Sequence, residues 1–432
     1  MQFFGPTRNT LLTLTISGVA SPQAVRRQGR PETIAFLSLL GAITAAGIDV
    51  MLPAFDEMRE TFGLDPDSTQ LTTMLTTYFV GLGLGQLFWG PVSDAIGRKR
   101  TLHAALTIYV LAALGCAWGP SLNALFAFRF IWGLGAAGTV VLSLAIPRDR
   151  TSGNDLARLL MLVQTVFMLG PVISPMLGQI IVSLVSWRWV FGLCVVLAFI
   201  VAFWSTRLEE TLPIERRRSL SFGRTLEGAR AVVSNRTTLG YGISRLFNIG
   251  GFFIYLGSAE LIFGDIYGKG DSFAWFFGGQ AAVMGAISLV SSRFVKHIGA
   301  LAVLRWAMIS LVTSAIALLV LSVATDGVPN LWVWFGILTI TNSASTIVTP
   351  AANSLSMEPM GEMAGTASGI LGAVAISGGA MLAAVFSGQI SGSVTPFAVG
   401  YLLYSCISAG AFLWASADTA VPTPTVSPAA SH

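Results

Sequence analysis

Twelve stretches of this chain run for about 20 residues or more with almost no charge. A helix crossing a bilayer needs about 20 apolar residues at about 1.5 Å each, which is the length every stretch supplies. Lipid offers no hydrogen bonds, so a segment placed in it must satisfy its own backbone as a helix. The stretches cover residues 33–55, 69–89, 101–119, 122–146, 157–183 and 187–205, then 239–263, 272–292, 300–324, 331–353, 364–388 and 396–416. A polar interval, 206–238, divides them six and six.

The composition agrees. Of 432 residues 53% are apolar and 11% charged, against roughly 25% charged in a soluble domain, and the mean hydropathy is +0.72. A soluble enzyme, a disordered protein and a nucleic-acid binder are excluded. The expectation is an all-α integral membrane protein of 12 transmembrane helices in two six-helix bundles, 33–205 and 239–416. A cytoplasmic linker, 206–238, joins them. Residues 1–32 and 417–432 read as disordered cytoplasmic tails, the second rich in Pro, Thr, Ser and Ala. Leu11–Ala20 imitates a signal peptide, but its basic cluster follows the apolar stretch instead of preceding it.

Lys and Arg collect on the cytoplasmic side of a membrane. With the N-terminus inside, the inner segments hold 20 of the 25 basic residues and the outer ones only Arg59, Arg188 and Lys269. Arg129 and Arg245 fall within spans. Both termini are therefore expected in the cytoplasm, with the protein in the inner membrane as a monomer.

Charges near the bilayer centre cost about 2.5–3.5 kcal/mol each on insertion scales, so the few that occur are candidates for function. Asp49 lies roughly 9 Å in from the outer end of the first span, and Arg129 roughly 11 Å in on the fourth. An acid and a base at one depth would share an environment in which the guanidinium tunes how the carboxylate holds its proton; a purely structural ion pair is the alternative. Tyr78 and Gln164 are further candidate cavity groups. In the seventh span Arg245 and Asn248 lie near the inner end, where Arg245 can also snorkel. Glu260 lies near the outer end, open to substrate or to interfacial solvent.

The loop Gly90-Pro91-Val92-Ser93-Asp94-Ala95-Ile96-Gly97-Arg98-Lys99-Arg100 offers two glycines for a tight turn and three cations at the cytoplasmic surface. The N-terminus of the eleventh span carries partial positive charge on the same side, and Asp94 is placed to dock there and latch the halves. A degenerate copy, Ser291 to Gly299, occupies the matching loop of the second half. The fifth span carries Gly170-Pro171-Val172-Ile173-Ser174-Pro175-Met176-Leu177-Gly178, whose two prolines each free a backbone acceptor.

On these motifs residues 33–415 resemble the major facilitator superfamily, and within it the drug–proton antiporters of the Bcr/CflA type, which include chloramphenicol and florfenicol exporters. The loop motif matches at Gly90, Asp94, Gly97, Arg98, Lys99 and Leu102, with Ala95 in place of a usual basic residue. The antiporter motif matches at Gly170, Pro175 and Gly178, with Ser174 and Gln179 in place of glycines. Asp49-Val50-Met51-Leu52-Pro53 looks like the acid–x–x–Leu–Pro signature of the subgroup, and Leu208-Glu209-Glu210-Thr211-Leu212 fits its pattern after span six. The fourth-span motif matches around Arg129, with Trp132 where glutamine is common.

The resemblance implies a secondary transporter, with Asp49 and Arg129 tied to proton coupling and substrate handling. The expected function is proton-driven export of small amphipathic compounds by alternating access, with no metal and no cofactor beyond the proton gradient. Its partners are the substrate, protons and the lipid bilayer, not nucleic acid. An uptake symporter for a small metabolite is the alternative on the same fold, and a membrane scaffold or sensor the alternative outside transport. Enzymatic machinery is missing: three histidines occur, with no HExxH helix and no Gly-x-Ser-x-Gly turn.

Overall fold

The computed structural model describes residues 31–65, 68–150, 170, 172–217 and 222–417. The described chain is a succession of helices. The first half comprises α1 (Pro31–Asp49), α2 (Phe55–Phe62), α3 (Thr73–Ile96), α4 (Arg98–Trp118), α5 (Leu122–Arg150), α6 (Val172–Leu184) and α7 (Arg188–Ser205). After α8 (Phe222–Ser234) come α9 (Arg236–Leu261), α10 (Phe273–Ile298), α11 (Ala300–Ala324), α12 (Leu331–Met357), α13 (Ala364–Ser387) and α14 (Thr395–Ser416). Among the described residues, 11 spans are long and apolar enough to cross a membrane, the first of them running continuously over Glu32–Phe62. Helix α6 is the described part of the fifth expected span. The two expected tails and Gln164 lie outside the described residues, apart from the tail-edge positions Pro31, Glu32 and Ala417.

The helices overrun the apolar stretches that announced them. Hydropathy marks the thickness of the hydrocarbon layer, whereas a helix continues into water for as long as its ends are satisfied. The expected loop 90–100 accordingly shrinks to one residue: Gly90 and Pro91 lie inside α3, and the chain reverses at Gly97 alone. Gly97 has φ +98°, a conformation that side chains disfavour. Its counterpart Gly299, between α10 and α11, has φ +83° and a similar ψ, so the degenerate second copy retains the turn though it lacks an acid like Asp94 and the three cations that follow Gly97. The linker is not all loop either. Helix α8 seats Val232 against Met360, just before α13, and against Ala367 and Leu371 of α13.

Small residues let the helices close on one another. A Cβ added at Gly133 of α5 would stand 2.1 Å from the Tyr78 carbonyl oxygen of α3. Contacts also join the first half to the second. Phe79 of α3 stacks on Phe253 of α9 with ring centroids 4.1 Å apart, and Ser377 of α13 donates to the Val80 carbonyl at 3.2 Å. Large apolar side chains such as Leu111, Phe199, Phe203, Trp275 and Val320 point outward, a surface that suits hydrocarbon and not water. Tryptophans 118, 189, 275, 306 and 332 are exposed, whereas Trp132, Trp187 and Trp334 are fully buried. Of the three cysteines, Cys116 and Cys194 are buried and Cys406 is exposed.

Candidate functional site

Helix α1 stops at Asp49, and the chain crosses Val50 and Met51 before a short 3-10 turn, Leu52–Ala54, leads into α2. Pro53 has no N–H to continue a helical ladder, so the acid–x–x–Leu–Pro signature places its acid at a helix end inside the membrane. The last carbonyls of a helix lack partners within it and carry partial negative charge. Arg129, reaching from α5, meets this end: its Nη1 donates to the Gly47 carbonyl at 2.7 Å and its Nε to the Met74 carbonyl of α3 at 3.2 Å. The guanidinium carbon lies 4.4 Å from the ring centre of Tyr78 and 4.9 Å from that of Trp132. Two aromatic faces and two carbonyls thus replace the water lost by a fully buried cation.

Asp49 is 3% exposed and Arg129 0%. They share an environment, since the guanidinium bonds a carbonyl two residues from the acid and acts on it electrostatically. They do not form an ion pair, and no hydrogen bond to the Asp49 carboxylate occurs among the described residues. Arg129 Nη2 is buried without a partner among the described residues. The guanidinium is thus held by the backbone and not by the Asp49 carboxylate, which has no partner among the described residues. Tyr78 is buried beside it, its hydroxyl donating to the Thr44 carbonyl at 3.4 Å. Trp132 and Tyr109 complete the wall, with their rings at 5.2 Å and the Tyr109 hydroxyl donating to the Ile43 carbonyl at 2.7 Å. Trp132 is prominent in the sequence only as a departure from a pattern, and Tyr109 gives no signal there.

The glycines of the fifth span lie against the same segment of α1. A Cβ at Gly178 would fall 2.0 Å from the Val50 carbonyl oxygen, and one at Gly170 would fall 2.3 Å from the Ala45 side chain. These contacts bracket Asp49 in the chain. Pro175 is buried between them in sequence.

In the second half, Asn248 of α9 donates through Nδ2 to the Ser345 carbonyl at 3.0 Å and to Thr349 Oγ1 at 3.1 Å, both on α12. Its Oδ1 is buried without a partner among the described residues. Arg245 bonds Asn353 Oδ1 at 2.9 Å, so its head turns to α12 instead of snorkelling. Further along α12, Asn342 accepts from Tyr401 of α14 at 2.8 Å and donates to Gln280 of α10 at 3.3 Å. No charge flags this ladder in the sequence.

Glu260 neither faces solvent nor stands free in a cavity. Arg59 of α2 grips it through two nitrogens, Nη1 to Oε1 at 3.1 Å and Nη2 to Oε2 at 2.7 Å. Asp56 takes a second bond from Nη1 at 2.7 Å, and the Ser68 carbonyl takes Nε at 3.3 Å. The pair joins the two halves at one end of the molecule, where α9 passes into a π-helical turn, Ile262–Ile266.

At the opposite end Asp94 binds Arg98 at 2.6 Å, and not the N-terminus of α13 as expected. Arg98 also holds Asp149, at 2.8 Å and 3.2 Å, and Asp149 accepts from Thr211 at 2.9 Å. The Glu210 carboxylate accepts from the backbone N–H groups of Arg98 and Lys99 at 2.9 Å and 3.2 Å, and so caps α4. Lys99 Nζ reaches the Thr206 carbonyl at 2.9 Å. The motif is thus a clasp inside the first half, closed by two acids, Asp149 and Glu210, that its own residues do not reveal.

Residues 37–384 match the model of the Major Facilitator Superfamily. The chain is 33% identical over 350 residues to an uncharacterised MFS-type transporter, YdgK, of Bacillus subtilis, covering 79% of this chain and 85% of that protein. It is 28% identical over 383 residues to a bicyclomycin resistance protein homolog of Haemophilus influenzae, covering 87% and 94%. In fold it is similar to the xylose transporter XylE of E. coli in a partially occluded inward-open conformation, with TM-score 0.70, 13% identity and coverage of 90% and 97%. The chain belongs to the Major Facilitator Superfamily, and is a multi-pass membrane transporter and not an enzyme.

Proposed function

We propose that this transporter exports small amphipathic compounds in exchange for protons, with Asp49 as the proton-carrying group. The observation that carries this reading is the Asp49 carboxylate itself: buried at a helix end, without an ion pair or hydrogen bond among the described residues, beside a guanidinium held elsewhere. A group in that setting gains or loses a proton without breaking a structural contact. Arg129, with Nη2 unmet, keeps the neighbourhood polar in both protonation states. A relative named for bicyclomycin resistance supports a drug-like cargo moving outward.

In this reading the bundles 33–205 and 239–416 rock about the Asp49–Arg129 region. Both termini face the cytoplasm, by the distribution of basic residues. The Arg59–Glu260 end is then the outer end, and the molecule is closed to the outside. The Asp94–Arg98–Asp149 clasp lies at the cytoplasmic end, with Asp94 free to exchange Arg98 for the start of α13 when that end closes. A proton entering down 100 mV supplies about 2.3 kcal/mol, an accumulation factor approaching about fifty for one proton per neutral substrate. The protein works as a monomer in the inner membrane, with the gradient as its only energy source.

The test is substrate flux in inverted membrane vesicles under an imposed pH gradient. Export predicts uptake into inverted vesicles that collapses with the gradient; uptake into right-side-out vesicles would assign symport instead. Flux indifferent to the gradient would remove proton coupling.

A further inference from the structure

The buried arginines of this fold are held by several groups at once. Arg59 has two carboxylates and a carbonyl, Arg98 has two carboxylates, and Arg129 has two carbonyls and two rings. Arg245 of α9 has far less, although it stands nine residues, roughly 13.5 Å, in from the start of its helix. Its Nη1 donates to the neutral amide oxygen of Asn353 at 2.9 Å. Its Nε is buried without a partner, Nη2 makes no hydrogen bond, and the residue enters no ion pair among the described residues. The Nε–Nη2 edge, on which a guanidinium presents two parallel N–H groups, is therefore unused.

That edge belongs to the interior and not to lipid. From Thr237 to Leu261 no residue of α9 is exposed, so the helix has no face toward hydrocarbon, yet Arg245 is partly exposed. At 3.6 residues per turn, Arg245 lies within about 80° of Phe253 and Glu260, through which α9 meets the first half. Ser345, Thr349 and Asn353 recur every four residues on the side of α12 that bonds α9, and the last two are partly exposed.

A cation with two parallel donors unused, flanked by amide and hydroxyl groups and turned to the interior, is complementary to a carboxylate. We propose that Arg245 receives the carboxylate of the transported compound on its Nε–Nη2 edge, so that the cargo is an amphipathic organic acid. This rests on the reading of the protein as an exporter of amphipathic compounds and gives that cargo its charge. Arg245 belongs to the second half and Asp49 to the first, so cargo and proton are held by different halves.

The experiment titrates the full chain, purified in mild detergent, with the amphipathic acid ibuprofen and with its neutral amide, reading affinity by calorimetry. The wild type is expected to bind the acid about tenfold more tightly than the amide, the scale of a charge-assisted pair. Arg245→Gln is expected to bring the acid down to the affinity of the amide and to leave the amide unchanged. Asn353→Asp keeps the shape of the site and sets a carboxylate of the protein's own against Arg245. It too is expected to abolish the preference, and it carries the test if the glutamine variant does not fold. A wild type that binds both probes alike, or neither, overturns the proposal, as does an Asn353→Asp variant that keeps the preference. Binding in detergent involves no gradient and no direction of movement. Flux indifferent to the gradient would thus remove proton coupling and leave this result standing.

Discussion

Arg59 and Glu260, 201 positions apart in the chain, meet as a two-pronged ion pair with nitrogen–oxygen distances of 3.1 Å and 2.7 Å. Each of the three guanidinium nitrogens is used, because Asp56 and the Ser68 carbonyl take the remaining bonds. Removing one partner of a buried pair leaves the other charge stranded, at a cost of about 3–5 kcal/mol. That cost falls on the closed arrangement alone, since the halves separate there when the other state forms. Arg59→Gln is therefore expected to shift the population toward the state open at this end. The check is a Thr72→Cys reporter, whose reaction with an impermeant maleimide added outside should accelerate at least tenfold. The charge-swapped pair, Arg59→Glu with Glu260→Arg, should restore slow labelling.

Asp49→Asn leaves size and burial unchanged and takes away the titrating group. Gradient-driven accumulation, a factor approaching about fifty at 100 mV, is expected to vanish while exchange of labelled for unlabelled substrate across vesicles continues. Measuring both on the same preparation separates lost coupling from lost folding. Retained accumulation would take the proton away from Asp49.

Arg129→Lys keeps the charge and is nonetheless expected to reduce transport by more than tenfold. A lysine ammonium is a point charge and cannot bond two carbonyls on different helices while lying flat between two rings. Arg129→Ala should in addition lower thermal stability, because the Gly47 and Met74 carbonyls lose their donor at about 1–3 kcal/mol each. Melting curves and initial transport rates distinguish the two variants.

Gly178→Ala would drive a methyl group toward the Val50 carbonyl, 2.0 Å from the built Cβ. Overpacking of this kind costs about 1–3 kcal/mol, and here it displaces the residue next to Asp49. Both Tm and transport should fall. The control is Gly279→Ala, whose added Cβ meets nothing within 4 Å; it should change neither.

The same contrast shows which parts of the site a sequence can display. Asp49 and Arg129 stand out because each is costly in hydrocarbon, and Pro53 marks the helix end that gives Asp49 its place. The glycines of the fifth span stand out as a motif, but only their contacts with Ala45 and Val50 show what they make room for. Glu260 is visible as a charge near a span end, yet its partner Arg59 looks like an ordinary outer-surface arginine. Asp149 is equally unmarked, and Glu210 shows only as part of a pattern after span six, although they hold Arg98 and the start of α4. In the second half Asn248 is visible as a polar group within a span, whereas Asn342, Gln280 and Tyr401 carry no charge and leave hydropathy almost unchanged.

The sequence by itself determined the class of fold, the number and order of crossing segments and the acid and base worth testing. Those follow from the cost of transferring single residues and single helices into lipid, which each segment settles alone. Tertiary structure decided that Arg129 holds the Gly47 carbonyl and not the Asp49 carboxylate, that Glu260 closes on Arg59, and that Arg98 takes Asp149 as well as nearby Asp94. Pairing of this kind depends on which helices become neighbours, and on distances of 2.7–3.2 Å between residues far apart in the chain.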